Sequence, residues 1–104
     1  MAADNSVVSH EELEQAVGSG VYAIVDVREP HEFFEGHVPG AVNLPMSRFD
    51  PSLLPSGKPV VLICKSGGRS ATALQRALAS GLSDTRHYAG GTAGWQGRGG
   101  SVER

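Results

Sequence analysis

Cys64 is the only thiol in the chain. It stands where the apolar run Val60-Val61-Leu62-Ile63 gives way to Lys65-Ser66-Gly67-Gly68-Arg69-Ser70. A strand that ends in a sulfur, turns through two glycines and enters a helix directs several backbone N–H groups at one atom. Lys65 and Arg69 add positive charge, Ser66 and Ser70 add hydroxyl donors, and Gly67-Gly68 let the main chain curl inwards. Each of these favours thiolate over thiol or holds a small anion beside it. The chemistry such a loop supports is nucleophilic attack by sulfur. A lone cysteine beside a buried strand is otherwise an inert core residue. The glycine-rich basic flank is what turns the reading towards reactivity.

Having one cysteine excludes an internal disulfide, a Cys-x-x-Cys redox pair and a multi-cysteine zinc site. With no resolving thiol in the chain, a reacting Cys64 must hand its product to another molecule. The four histidines, His10, His31, His37 and His87, show no metal-binding spacing, so no metal is expected. Pairing of a distant histidine with Cys64, as in cysteine proteases, is an alternative activation that the loop makes unnecessary. A formal net charge of −2 gives no general attraction to nucleic acid or anionic membranes. No apolar run approaches membrane-spanning length. The opening Met1-Ala2-Ala3-Asp4-Asn5-Ser6 lacks the basic and apolar regions of a secretory signal. A cytoplasmic monomer is the expectation.

The elements that must position the thiol follow from short apolar runs alternating with helical patterns, which argue for an α/β domain with a mainly parallel sheet. Val7-Val8 reads as a short first strand. Ser9 and Glu12 form a capping box for a helix with Leu13, Ala16 and Val17 on its apolar face. Val21 to Val25 reads as a strand covered on both faces, closing on Asp26-Val27-Arg28. Pro30 suits the start of a short helix through Glu35, with Glu29 and Glu32 at its positive end. Ala41 to Leu44 reads as an edge strand cut off by Pro45, and Asp50-Pro51 as the start of a further helical turn. Val60 to Ile63 is the central strand, followed by a helix over Ser70 to Ser80. Thr85 to Tyr88 adds a last strand, and a short helix is anchored by Trp95. The whole chain, 1–104, reads as one domain, with 1–5 and 98–104 as mobile tails.

Four segments resemble the rhodanese (thiosulfate sulfurtransferase) family. They are Asp26-Val27-Arg28-Glu29, the run from Gly36 to Pro45, Cys64 to Ser70, and Gly90-Gly91 followed by Trp95. They stand in the family's order and span nearly the whole chain. The resemblance implies a rhodanese-like α/β fold with a central parallel sheet of about five strands flanked by helices on both faces. It also implies ping-pong chemistry with no cofactor. The Cys64 thiolate would attack the outer sulfur of thiosulfate, sulfite would leave, and Cys64 would carry a persulfide. Cyanide, a thiol or a protein cysteine would then collect that sulfur. Lys65, Ser66, Gly67, Gly68, Arg69 and Ser70 would bind the donor anion, with Asp26 and Arg28 as structural supports.

Four residues separate Cys64 from Arg69, the shorter loop that the family associates with sulfur transfer rather than phosphate. Ile63, not histidine, precedes the cysteine, which also disfavours a phosphatase or arsenate reductase. A basic residue at Lys65 resembles thiosulfate-using members more than mercaptopyruvate-using ones. Alternatives stay open at this level. Cys64 could act as a carrier loaded with persulfide by a partner protein. Arg69 either touches substrate or braces the loop on Asp26 or a carbonyl, and the alternative reading of Lys65 is a solvated charge that raises the local potential. Phe33, Phe34 and Trp95 read as core or rim packing. Gly94, Gly97 and Gly99-Gly100-Ser101 depart from the family's more hydrophobic finish and predict a loosely packed C-terminus.

Overall fold

The structure is a computed structural model that describes residues 6–104. The expected tail 1–5 lies outside the described residues. Four strands form one parallel sheet in the order β2-β1-β3-β4, with β1 at Ala23–Asp26, β2 at Val42–Asn43, β3 at Val60–Ile63 and β4 at Thr85–His87. Helices α1 (His10–Ser19), α2 (Pro30–Glu35), α3 (Gly68–Ala79) and α4 (Gly91–Gly97) supply the crossovers and flanks. The sheet therefore has four strands rather than about five. Val7 makes a single parallel bridge to His87, too short to continue as a strand.

Local chemistry accounts for most boundaries. The Ser9 hydroxyl accepts from Glu12 N–H at 3.0 Å while the Glu12 carboxylate accepts from Ser9 N–H at 2.9 Å, and Gly20 in a left-handed conformation ends α1. Pro30 opens α2. α3 begins at Gly68, two residues before Ser70, because Gly67 takes the left-handed conformation at its N-cap and Ala71 N–H already bonds the Gly67 carbonyl.

The strand period of two divides β3 between two cores. Val61 and Ile63 pack with Leu13 and Ala16 of α1, Phe33, Val38, Tyr88 and Trp95 on one face. Val60, Leu62 and Cys64 pack with Ala73, Leu74 and Ala77 of α3, and with Phe49 and Leu54, on the other. Phe33 and Trp95 are thus core residues, whereas Phe34 is exposed. The alternation puts the thiol on the α3 face, beneath the start of that helix.

The C-terminal segment corrects the expectation of a mobile tail. The indole N–H of Trp95 donates to the Ser101 carbonyl at 2.7 Å, and Glu103 exchanges main-chain hydrogen bonds with His37 at 2.8 and 2.9 Å. Arg104 Nε donates to the Glu35 carbonyl at 2.8 Å. The glycines that suggest looseness serve close approach instead, since a Cβ at Gly100 would collide with the Trp95 ring. Among the described residues no helix is long and apolar enough to cross a membrane.

Candidate active site at Cys64

Cys64 and Asp26 end neighbouring strands. Asp26 is in register with Ile63, and Val27 N–H donates to the Ile63 carbonyl at 2.8 Å. The site thus lies at the carboxyl edge of the sheet, where parallel α/β sheets present ligand-binding residues.

The sulfur is 1% exposed and shares an apolar cluster, yet its own contacts are polar. Gly67 N–H donates to Sγ at 3.0 Å, and the Ser70 hydroxyl lies 3.5 Å away. Burial alone pushes the thiol up. The Ser70 hydroxyl and the amides of Ser70, Gly67 and Ser66 outweigh it, so the Cys64 pKa falls below the ordinary thiol value. An anion in the same loop is stabilised by those donors too.

Two glycines permit this geometry. Gly67 and Gly91 both have positive φ, +102° and +67°. A Cβ at Gly91 would overlap the Lys65 carbonyl and one at Gly67 the Ala89 carbonyl. α4 sits against the loop through Thr92 N–H to the Cys64 carbonyl, 2.8 Å, and Ala93 N–H to the Lys65 carbonyl, 3.0 Å. Gly91→Ala is therefore expected to destabilise the protein by about 1–3 kcal/mol through overpacking and backbone strain. Urea denaturation measures this, and unchanged stability would contradict the close approach.

Arg69 braces the loop, but not on Asp26. Its Nη1 and Nη2 donate to the two Glu32 oxygens at 2.7 and 3.0 Å. The Arg69 hydrogen bonds hold the Glu32 carboxyl down at about 2, against the burial that raises it and with help from the Glu29 N–H. Because the folded value lies below the unfolded one, this contribution is complete above about pH 4.5 and is lost as pH falls towards about 2. Wild type should thus exceed Glu32→Gln in urea stability near neutral pH, and the gap should close on acidification. A gap that is constant with pH would show that the Glu32 charge does not matter.

Asp26 instead holds Arg28. Arg28 Nε lies 3.0 and 3.1 Å from the two Asp26 oxygens, and Nη2 donates to Oδ2 at 2.8 Å and to the Gly36 carbonyl at 2.7 Å. Asn43 Nδ2 ties the same turn by donating to the Asp26 and Arg28 carbonyls at 3.0 and 2.8 Å. Asp26 and Arg28 are both buried.

Lys65 and Ser66 are exposed. Lys65 lines a polar cleft of about 210 Å³ with Arg28, Glu32, Glu35, Thr92 and Gln96. A larger cleft of about 400 Å³ lies by Val60 and Thr85, at the opposite end of the strands from the thiol. Gly68 opens α3. Among the described residues no cluster of His, Cys, Asp and Glu could hold a metal ion.

Sequence reasoning missed Glu32, Asn43 and His87. Glu32 read as a helix-cap residue, which it also is, and the only sequence signal for Asn43 is its place in the Gly36–Pro45 run. His87 Nδ1 lies 2.9 Å from Ser70 Oγ, so a histidine does approach Cys64, through a hydroxyl rather than directly.

Comparison with known proteins agrees with this geometry. The Rhodanese-like domain family matches residues 9–98. An uncharacterized protein of Synechocystis is 39% identical over 94 residues, which cover 88% of this chain and 52% of that protein, so the chain spans about half its length. The human thiosulfate:glutathione sulfurtransferase is 32% identical over 104 residues, covering 85% of this chain and 90% of that protein. The structure of the human single-domain sulfurtransferase TSTD1 superposes with a TM-score of 0.78 at 29% identity, covering 91% of this chain and 98% of that one. With a cysteine loop at the carboxyl edge of a parallel sheet and a family match over residues 9–98, this chain belongs to the Rhodanese-like domain family.

Proposed function

We propose that this rhodanese domain is a thiosulfate sulfurtransferase in which Cys64 takes the sulfane sulfur and passes it to a thiol, or to cyanide in an assay. The observation that carries the reading is Sγ held by the Gly67 N–H and the Ser70 hydroxyl at the start of α3, with the thiol pKa lowered. A sulfur ionised in that way attacks the outer sulfur of thiosulfate; a new S–S bond forms, the old one breaks, and its electron pair leaves with sulfite. The same donors then stabilise charge on the persulfide and on the departing thiolate as the acceptor attacks.

The name of the human relative, a thiosulfate:glutathione sulfurtransferase, supports this donor and a small thiol as acceptor. Lys65 at the cleft beside the loop is placed to attract the anionic donor. Arg69, occupied by Glu32, acts as a brace.

Incubation with thiosulfate followed by intact-protein mass spectrometry tests the proposal. One sulfur atom should be added, and cyanide should remove it as thiocyanate. No adduct with thiosulfate, together with rapid loading from a protein persulfide, would make the domain a carrier instead. Turnover of an aryl phosphate would point to the phosphatase alternative.

A further inference from the structure

We propose that His87 is a positioning residue for Cys64, acting through the Ser70 hydroxyl to decide whether the loop favours the sulfur as thiol or as thiolate. This rests on Cys64 being the sulfur that reacts. Sheet register builds the arrangement. Leu62 of β3 pairs with His87 of β4, so His87 faces the same side as Leu62 and, two residues further, Cys64. α3 covers that side, and Ser70 in its first turn lands between them. Ser70 Oγ is 2.9 Å from His87 Nδ1, 3.2 Å from the Gly67 carbonyl and 3.5 Å from Sγ.

All three side chains are buried. The His87 main chain is held from both sides, its N–H donating to the Ser6 carbonyl at 2.8 Å and its carbonyl accepting from Val8 N–H at 2.9 Å. The buried neighbours on this face, Leu62, Ala73, Leu74 and Ala77, are apolar. Of the charged groups near the loop, Asp26 pairs with Arg28 and Glu32 with Arg69, while Lys65 is exposed. Ser70 Oγ thus forms a hydrogen-bonded link between ring and sulfur.

A hydroxyl has one proton to give, and Ser70 has three neighbours to receive it. With Nδ1 bare, the ring accepts that proton, and Oγ shows the sulfur only lone pairs. Thiol is then favoured, since it can donate its S–H. With a proton on Nδ1, the ring donates to Oγ, and Ser70 turns its own proton to the sulfur. Thiolate is then favoured, and this Nδ1–H state is the one assigned to the resting protein, where Sγ accepts from Gly67 N–H. One shift connects the two states. The S–H bond breaks as its proton joins Oγ, and the former Ser70 proton moves to Nδ1, leaving thiolate and imidazolium. No outside reagent is needed.

The test compares His87→Leu, which cannot donate, with His87→Asn, which keeps an N–H near the Nδ1 position. The readout is the rate of Cys64 alkylation by iodoacetamide across pH, with circular dichroism to monitor folding. His87→Leu should be alkylated about tenfold more slowly at neutral pH, while His87→Asn stays within about threefold of wild type. Unchanged alkylation in His87→Leu overturns the proposal, and so does an equal loss in both variants, which would mark packing. If His87→Leu does not fold, Ser70→Ala should show the same slowing. Adding His87→Asn to it should change nothing more, and a further change overturns the relay. Alkylation reports the sulfur itself, so slowed variants in a protein that takes no sulfur from thiosulfate would sink the donor assignment and leave this inference standing.

Discussion

Cys64→Ala is expected to lose all persulfide formation with thiosulfate and all thiocyanate production above the uncatalysed background. Sγ is the only atom in the chain able to hold a transferred sulfur as a persulfide, because no other cysteine exists. Alanine keeps the Cβ and removes one buried atom, so the expected cost in stability is about 1 kcal/mol. Loss of activity in a folded variant can therefore be assigned to the missing nucleophile. Circular dichroism and intact mass, read on the same sample, separate the two. Retained turnover in Cys64→Ala would end the proposed function.

Arg28→Met is expected to lower stability by about 3–5 kcal/mol, the range for breaking a buried ion pair by removing one partner. Asp26 is fully buried, at 0% exposure, and Arg28 is 6% exposed. The substitution leaves the Asp26 carboxylate with the Arg28 main-chain N–H, at 3.0 Å, in place of a guanidinium. It also leaves the Gly36 carbonyl without the donor that Nη2 supplies. The effect should reach the thiol. Arg28 fastens the end of β1 to the end of α2, and α2 carries Glu32, which holds Arg69 of the loop. Urea denaturation measures the loss, and Cys64 alkylation in the folded variant reads its transmission. A destabilisation below about 1 kcal/mol would show that the pair is dispensable.

What was legible in the sequence was local. Val60 to Ile63 could be read as a buried strand because four apolar residues meet a glycine-rich turn, and β3 has those bounds. The Ser9–Glu12 box needs only its own turn of helix to form. Non-local pairings were not legible. Arg69 has two carboxylates within reach of a plausible fold, and nothing along the chain says that Glu32 is nearer than Asp26. The hydroxyl-to-imidazole contact between Ser70 and His87 depends on β4 lying beside β3 in one register. Val7-Val8 carries apolar residues, but β-bridging stops after one pair. The glycines near the end misled for a definite reason. Composition equates glycine with freedom, whereas Gly100 is small because an indole lies against it.

The edge of β4 is closed by residues from the other end of the chain, Ser6 and Val8. Ser6 and Val8 leave the ribosome long before His87, the residue they bond. Thr92 of α4, whose N–H reaches the Cys64 carbonyl, arrives later still. The nascent thiol thus leaves the exit tunnel before the walls that will enclose it. During that interval it is an ordinary open cysteine, and it gains its special character only once α3, β4 and α4 have followed it out.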